Sequence, residues 1–278
     1  MDIKDILVLL DAGEPDSAAL AIAASLAKSC GACASGVCLY GEPEPPLSDC
    51  YAIGLSSVAD VLERRTARIS AEVAPAEAAF RKALSGVGLV GDWVTGEVEE
   101  CVDALTWRTR VADLVVASAP ADHAGPWRRL VELLVLSGAP CLLIPRDGPR
   151  RPVFDRIVLA WNGSAQARRA LDDSLLFLKR ALAVTVVIAA EEPTAWIDGP
   201  QSDAVLRHLA HHGVQADVLR VAMDAGRAGE ALLRASADCR ADLLVMGAYS
   251  HTRAVEMILG GATRTVLSHS ANPVLLSR

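Results

Sequence analysis

Continuous apolar runs alternate with amphipathic segments along this chain. Runs such as "VTVVIAA" (184–190) are apolar at nearly every position, which is typical of strands covered on both faces. The segments between the runs repeat their apolar positions with the period of a helix. In the second half, the pattern predicts strands near 156–161, 183–190, 216–222, 242–247 and 273–277, and helices over 164–181, 201–212, 226–238 and 262–270. This alternation predicts a right-handed, doubly wound parallel sheet.

The first half of the chain repeats the plan of the second. "KDILVLLDAGEPDSAALAIAASLAKS" (4–29) aligns with "DRIVLAWNGSAQARRALDDSLLFLKR" (155–180), each with a charged pair, an apolar strand, a turn and an amphipathic helix. Strands are predicted near 5–11, 35–40, 90–95, 113–118 and 140–145. The first half also has a long helical stretch from about 52 to 84, in which Pro75 is the candidate point of interruption.

A short Pro-, Gly- and Arg-containing segment separates the two copies. "RDGPRRPVF" (146–154) has the composition of an exposed linker. We therefore expect a boundary near Arg150, with one domain over 1–150 and a second over 151–278.

Composition narrows the class of protein and its partners. Of the 278 residues, 52% are hydrophobic and only 4% aromatic, so aliphatic side chains fill the core, as in α/β proteins. A net charge of -7 predicts neither nucleic acid nor an anionic membrane as a partner. No apolar run approaches a membrane span, and the N-terminus has no basic leader, so a cytoplasmic protein is expected.

Cysteines and histidines are the candidate metal ligands. The seven cysteines are expected to be reduced thiols. Cys30, Cys33 and Cys38 lie close in sequence, but no second cysteine pair completes a tetrahedral set, so small buried side chains are the favoured interpretation and no metal is expected. His208, His211 and His212 stand at helical spacing, where two histidines can begin a metal site without closing it; a solvated helix face is favoured.

The two halves carry the motifs of a known family. "LAWNGSAQARRAL" (159–171) and "ADLLVMGAYSHTRAVEMILGGATRTVLSHSANPVLLS" (241–277) resemble the first strand and the final strand–loop–helix–strand of the universal stress protein (UspA-like) family. The whole chain resembles a tandem, two-domain member. The resemblance implies two flavodoxin-like (adenine nucleotide alpha hydrolase-like) domains, each a five-stranded parallel sheet of order 3-2-1-4-5 flanked by helices.

The resemblance also implies a contact between the two domains. Family members often dimerise through the last strand, and here "PCLLIP" and "PVLLS" are the corresponding apolar strands. Pairing them would cover two apolar edges within one chain as an intramolecular pseudo-dimer. Association of two chains as a homodimer is left open.

A glycine loop in the second domain is the candidate phosphate site. Nucleotide-binding family members have Gly, two residues, Gly, nine residues, then Gly and Ser or Thr. This chain keeps the spacing with Gly247, Ser250, Gly260 and Gly261 but departs from the pattern at the second and fourth positions. Glycines permit positive φ and close backbone approach, so N–H groups can converge on an anion. The alternative is a structural turn whose glycines serve helix packing.

The adenine end of the implied site lies after the first strand of the second domain. Asn162 stands where binding members have Asp; an amide can still donate and accept, but Asn162 is equally a good turn residue and Ser164 a good N-cap. Asp11 occupies the equivalent place in the first domain, where Ser118 replaces the first glycine and a cradle is not expected. The predicted ligand residues are Asn162, Gly163, Ala189, Gly247, Ser250, His251, Arg253, Gly260, Gly261, Ala262 and Thr263.

The favoured function is a non-catalytic stress-response protein whose second domain binds ATP or a similar nucleotide as a regulatory ligand, with protein partners unknown. The alternative is a ligand-free dimerisation or protein-interaction module of the same fold. An enzyme of this broad fold would need a pyrophosphatase-like or flavin-phosphate loop after the first strand, and neither "DAGEPDS" nor "WNGSAQA" provides one.

Overall fold

The architecture is that of a computed structural model of the 278-residue chain. The structure describes residues 2–11, 17–40, 55–97, 105, 107–119, 138–146, 148, 153–191, 200–248 and 261–278. Everything below concerns these residues.

The described part of the first half contains five strands and two long helices. In chain order they are β1 (Asp5–Asp11), α1 (Ser17–Cys30), β2 (Cys33–Tyr40), α2 (Leu55–Ser85), β3 (Asp92–Glu97), β4 (Leu114–Ser118) and β5 (Cys141–Ile144). The second half contains β6 (Arg156–Ala160), α3 (Ala165–Leu178), β7 (Ala183–Ala190), α4 (Pro200–His211), β8 (Asp217–Ala222), α5 (Ala228–Asp238), β9 (Leu243–Gly247), α6 (Gly261–His269) and β10 (Val274–Ser277). All ten predicted strands are confirmed.

A single sheet runs through both halves. Its order is β3-β2-β1-β4-β5-β10-β9-β6-β7-β8, so each half has the predicted order 3-2-1-4-5. Neighbouring strands are parallel except at the centre, where β5 and β10 are antiparallel, with Leu143 opposite Val274 and Cys141 opposite Leu276. The predicted pairing of the two last strands is therefore confirmed. The exact boundary near Arg150 lies outside the described residues.

Two apolar layers cover the faces of this sheet. Side chains of α1, α2, α3 and α4 form a core with one face, around Ile22, Phe80, Leu171 and Leu209. Side chains of α5 and α6, including Leu232 and Val266, pack on the opposite face. Strand residues alternate between the layers, as the pleat requires: Leu159 belongs to the first and Val158 to the second. We call these the first face and the second face.

Pro75 does not interrupt α2. The helix runs from Leu55 to Ser85 with Pro75 inside it. A helical proline frees the carbonyl four residues earlier. Both Pro75 and that residue, Ala71, are exposed, so water can satisfy the freed carbonyl, while Val73 and Phe80 hold the helix on the core.

One carboxylate in each half joins the beginnings of two strands. Asp113 Oδ2 accepts hydrogen bonds from the backbone N–H of Lys4 (2.7 Å) and Asp5 (3.0 Å). In the second half, Asp242 Oδ2 accepts from Asp155 N (2.8 Å) and Arg156 N (2.9 Å). The internal repeat thus extends to individual hydrogen bonds.

Candidate functional site

A crevice is expected at the carboxyl edge of the second half of the sheet. Strand β6 has β7 on one side and β9 on the other. The chain leaves β6 toward β7 through α3, and it leaves β9 in the opposite direction toward β10 through α6, so these two helices lie on opposite faces of the sheet. Such a reversal in strand order is where open α/β sheets bind ligands. The strands around it end at Ala160, Ala190 and Gly247.

The turn from β6 into α3 is organised by its own side chains. Asn162 Oδ1 accepts a hydrogen bond from the Ser164 backbone N–H at 3.1 Å, and Gly163 has φ +72°. Ser164 Oγ in turn accepts from Ala167 N at 3.1 Å and is the N-cap of α3. The turn and cap roles of Asn162 and Ser164 are confirmed, and α3 begins with a cap supplied by the protein itself.

Gly247 is needed where β9 passes the beginning of α3. A Cβ added there would lie 2.5 Å from the carbonyl carbon of Gln166 and 2.6 Å from the nitrogen of Ala167. Gly247 is not among the glycines with positive φ in the described chain. Close backbone approach on the first face, and not φ, therefore explains this glycine, and no ligand is required for that explanation.

Helices α5 and α6 begin side by side at the same edge, on the second face. A Cβ on Gly229 would lie 2.7 Å from Cβ of Thr265 and 2.9 Å from the carbonyl oxygen of Ala262, so glycine allows the two first turns to touch. Gly226, with φ +75°, turns the chain into α5. Sequence reasoning missed both glycines, although "DAGRAGEALL" (224–233) places them directly before and inside a helix start.

The first described residue of α6 cannot supply a cap of the kind that Ser164 gives α3. Gly261 is its first residue, and neither Gly261 nor Gly260 before it has a side chain that can accept from the first-turn N–H groups. Thr263 and Val266 are both buried. The N–H groups at this helix end therefore lack a side-chain cap from the two glycines.

The predicted ligand residues divide into two groups. Described at the carboxyl edge are Asn162, Gly163, Ala189, Gly247, Gly261, Ala262 and Thr263. Ser250, His251, Arg253 and Gly260 lie outside the described residues. In the first half, Ser118 is buried at the end of β4, and the side chain of Asp11 is outside the described part.

The histidine cluster is less solvated than predicted. His208 is half-buried: its Nε2 lies 3.9 Å from Asp172 Oδ1 on α3, and its ring centroid lies 4.6 Å from that of His212. Burial, then Arg168 and His212, lower the pKa of His208, against the opposing effect of Asp172. The prediction of a solvated helix face is confirmed for His211, which is exposed, and is wrong for His208, because α4 packs this position against α3.

The cysteine cluster is divided by the sheet. Cys38 is buried on the first face, with Ala34. Strand alternation points Cys33 to the other face, and it is exposed. Burial raises the pKa of the Cys141 thiol to about 12. Within the described ranges, no group of three or more His, Cys, Asp or Glu side chains is arranged to hold a metal ion, and no helix is both long and apolar enough to span a bilayer.

Two five-strand units of order 3-2-1-4-5, joined through their last strands and each with a reversal of strand order beside its first strand, define a tandem protein of the flavodoxin-like α/β class. Comparison with known proteins then tests the resemblance. The model of the universal stress protein family matches residues 154–278, so the resemblance seen in the sequence is confirmed for the second half of the chain.

Individual relatives agree with this assignment. Universal stress protein Slr1230 of Synechocystis sp. is 30% identical over 143 residues, which is 50% of this chain and 47% of that protein. The chain thus spans about half the length of this curated relative. A universal stress protein of Archaeoglobus fulgidus is similar over 98% of this chain and 96% of its own, with a TM-score of 0.67 and 16% identity, a likeness that shows the fold alone.

Proposed function

We propose that the second half of this universal stress protein binds ATP or a related nucleotide as a regulatory ligand, without catalysing its turnover. The observation that carries the proposal is a difference between two helices at the expected crevice. Ser164 caps α3 with its side chain, whereas Gly261, the first described residue of α6, and Gly260 before it in the sequence have no side chain that could do so. Phosphate oxygens are the acceptors that such an end favours.

Neighbouring charge supports phosphate at α6. Helices α5 and α6 begin together at this edge, so both positive ends of their dipoles point to the same region. The carbonyl oxygen of Gly226 lies 4.0 Å from where a Cβ of Gly261 would stand, and exposed Arg227, which is paired with Glu230 at 3.5 Å, follows directly in the chain. The base and sugar would then lie toward β6 and β7, over Asn162 and the small side chain of Ala189.

A charge placed at Gly261 tests this assignment without unfolding the protein. Gly261→Asp adds a carboxylate at an exposed helix start, which stabilises the helix by about 0.3–1 kcal/mol but repels phosphate. Leu182→Asp is the matched control, because it makes the same charge change at a side chain that is 83% exposed at the start of β7, the opposite edge of the sheet.

The assay is calorimetric titration of the full chain, preceded by chromatography of nucleotides released on denaturation. We expect wild type and Leu182→Asp to bind ATP with equal affinity, and Gly261→Asp to bind at least about tenfold more weakly at an unchanged or higher melting temperature. Wild-type protein that is empty and does not bind millimolar ATP contradicts the proposal.

The second candidate is a ligand-free pairing module. One observation favours it: the contact of Gly247 with Gln166 and Ala167 explains the first glycine of the loop by packing alone. A failure of nucleotide binding would leave this function, in which the joined sheet and its surfaces act on protein partners.

A further inference from the structure

A carboxylate and a hydroxyl are buried where α3 packs on β10, the strand that joins the second half to the first. Ser277, the last residue of β10, is 1% exposed, and the side chain of Asp173 on α3 is 12% exposed. Among the described residues, neither Asp173 Oδ2 nor Ser277 Oγ has a hydrogen-bond partner, and Arg169 Nε lies 3.8 Å from Asp173 Oδ2. A buried oxygen without a donor destabilises the folded state.

The first half of the chain has an apolar pair at the equivalent place. The sequence repeat aligns Asp173 with Ile22 of α1, and the register of the sheet places Ser277 at the end of β10 as Ile144 stands at the end of β5. Ile22 and Ile144 are fully buried in the core on the first face. One half thus packs this place with apolar side chains alone, so packing does not explain the carboxylate in the other half.

The surroundings of Asp173 favour its protonated form. Burial raises the pKa of the Asp173 carboxyl above its ordinary value of 3.8. Ser277 on β10, Arg169 on α3 and the amino terminus of the chain oppose this rise in pKa, and Asp172 on α3 adds to it. A protonated carboxyl can donate to Ser277 Oγ, whereas the ionised carboxyl can only accept. Protonation therefore stabilises the folded state, and this contribution is complete below about pH 3.8 and is lost as the pH rises through the folded-state pKa.

We propose that Asp173 and Ser277 make the attachment of α3 to β10 sensitive to pH, so that α3 is held more tightly as the medium becomes more acidic. The ionised carboxylate at neutral pH favours local opening of α3, because opening returns the charge to water. The first turn of the same helix packs against Gly247, so protonation of Asp173 acts on a helix that borders the expected crevice. The inference does not depend on nucleotide binding.

Asp173→Asn is the test variant, because its amide is neutral at every pH and can donate as the protonated carboxyl does. Its melting temperature is expected to exceed that of wild type by roughly 2–6 °C at pH 7.5, as expected when one unsatisfied buried group is relieved, and the difference should disappear as the pH falls to about 4. Asp217→Asn makes the same change at an exposed carboxylate and should stay close to wild type at both pH values. An Asp173→Asn protein that melts at or below the wild-type temperature at pH 7.5, or whose difference persists at pH 4, would overturn the inference.

Hydrogen exchange at pH 7.5, followed by mass spectrometry of the full chain, tests whether the effect is local to α3. Peptides of α3 in Asp173→Asn are expected to exchange at least about threefold more slowly than in wild type, while peptides of α1, which has Ile22 at this place, are unchanged. Ser277→Ala should have the opposite effect on α3, because the carboxylate loses the neighbouring hydroxyl. Equal slowing of α1 and α3 would overturn the local attachment, and an unchanged α3 in Ser277→Ala would overturn the part of Ser277.

Discussion

The packing of Gly247 predicts a large and local loss of stability on adding one methyl group. Ordinary van der Waals contact begins near 3.4 Å, and the new Cβ would stand 2.5 Å from backbone of α3, so strand and helix must separate by about 1 Å. Overpacking of this kind costs about 1–3 kcal/mol. The displaced nitrogen of Ala167 also donates to Ser164, and disturbing that cap adds about 1 kcal/mol.

The expected total for Gly247→Ala is therefore about 2–4 kcal/mol. Its melting temperature should fall by roughly 5–15 °C for a unit of this size, measured by calorimetry or circular dichroism of the full chain. Gly261→Ala is the control: among the described residues its Cβ meets nothing nearer than an oxygen at 4.0 Å, and a helix gains up to about 1 kcal/mol from Ala over Gly. A Gly247→Ala protein that melts within about 1 °C of wild type would refute this account of the glycine.

Three further substitutions test other contacts. Asp242→Ala removes the acceptor of two backbone N–H groups and should cost about 2 kcal/mol in urea unfolding, with Asp242→Asn closer to wild type. Arg240 is exposed and has φ +50° just after α5, so Arg240→Gly should raise the free energy of unfolding by about 1 kcal/mol. Arg234→Gly, within the helix, should lower it by about as much. The pKa of His208 is lowered, so the neutral imidazole contributes fully to the stability of the protein above about pH 6.5, and this contribution is lost as the pH falls below that value. The melting temperature of His208→Gln should therefore fall less between pH 7.5 and pH 5.5 than that of wild type or of His211→Gln.

Much of the fold could be predicted because its signals are local. Short apolar runs such as β4 and β9 are typical of strands buried on both faces, and Ser164 caps a helix whose apolar period begins just after it. The course of α2 through Pro75 could not be predicted, because whether water reaches the freed carbonyl depends on how the helix is oriented on the sheet.

The candidate site was predictable only in part, because its glycines act through distant neighbours. Gly247 meets Gln166, and Gly229 meets Thr265, so the steric reason for each glycine lies far along the sequence. Likewise, the half-burial of His208 comes from Asp172 and its helix, and helical spacing alone suggested a solvated face. Asn162 was anticipated as a turn residue, but the orientation of its amide required the bond from Ser164.

The antiparallel pair of β5 and β10 joins two halves that belong to the same polypeptide chain. Separate subunits that shared this strand pair would part on dilution, whereas tethering makes the pairing intramolecular and independent of protein concentration. It also frees the two copies from being identical. One half can therefore diverge in sequence, as Ser118 does where the other half has Gly247, while it still pairs through β5 with β10 of the other half.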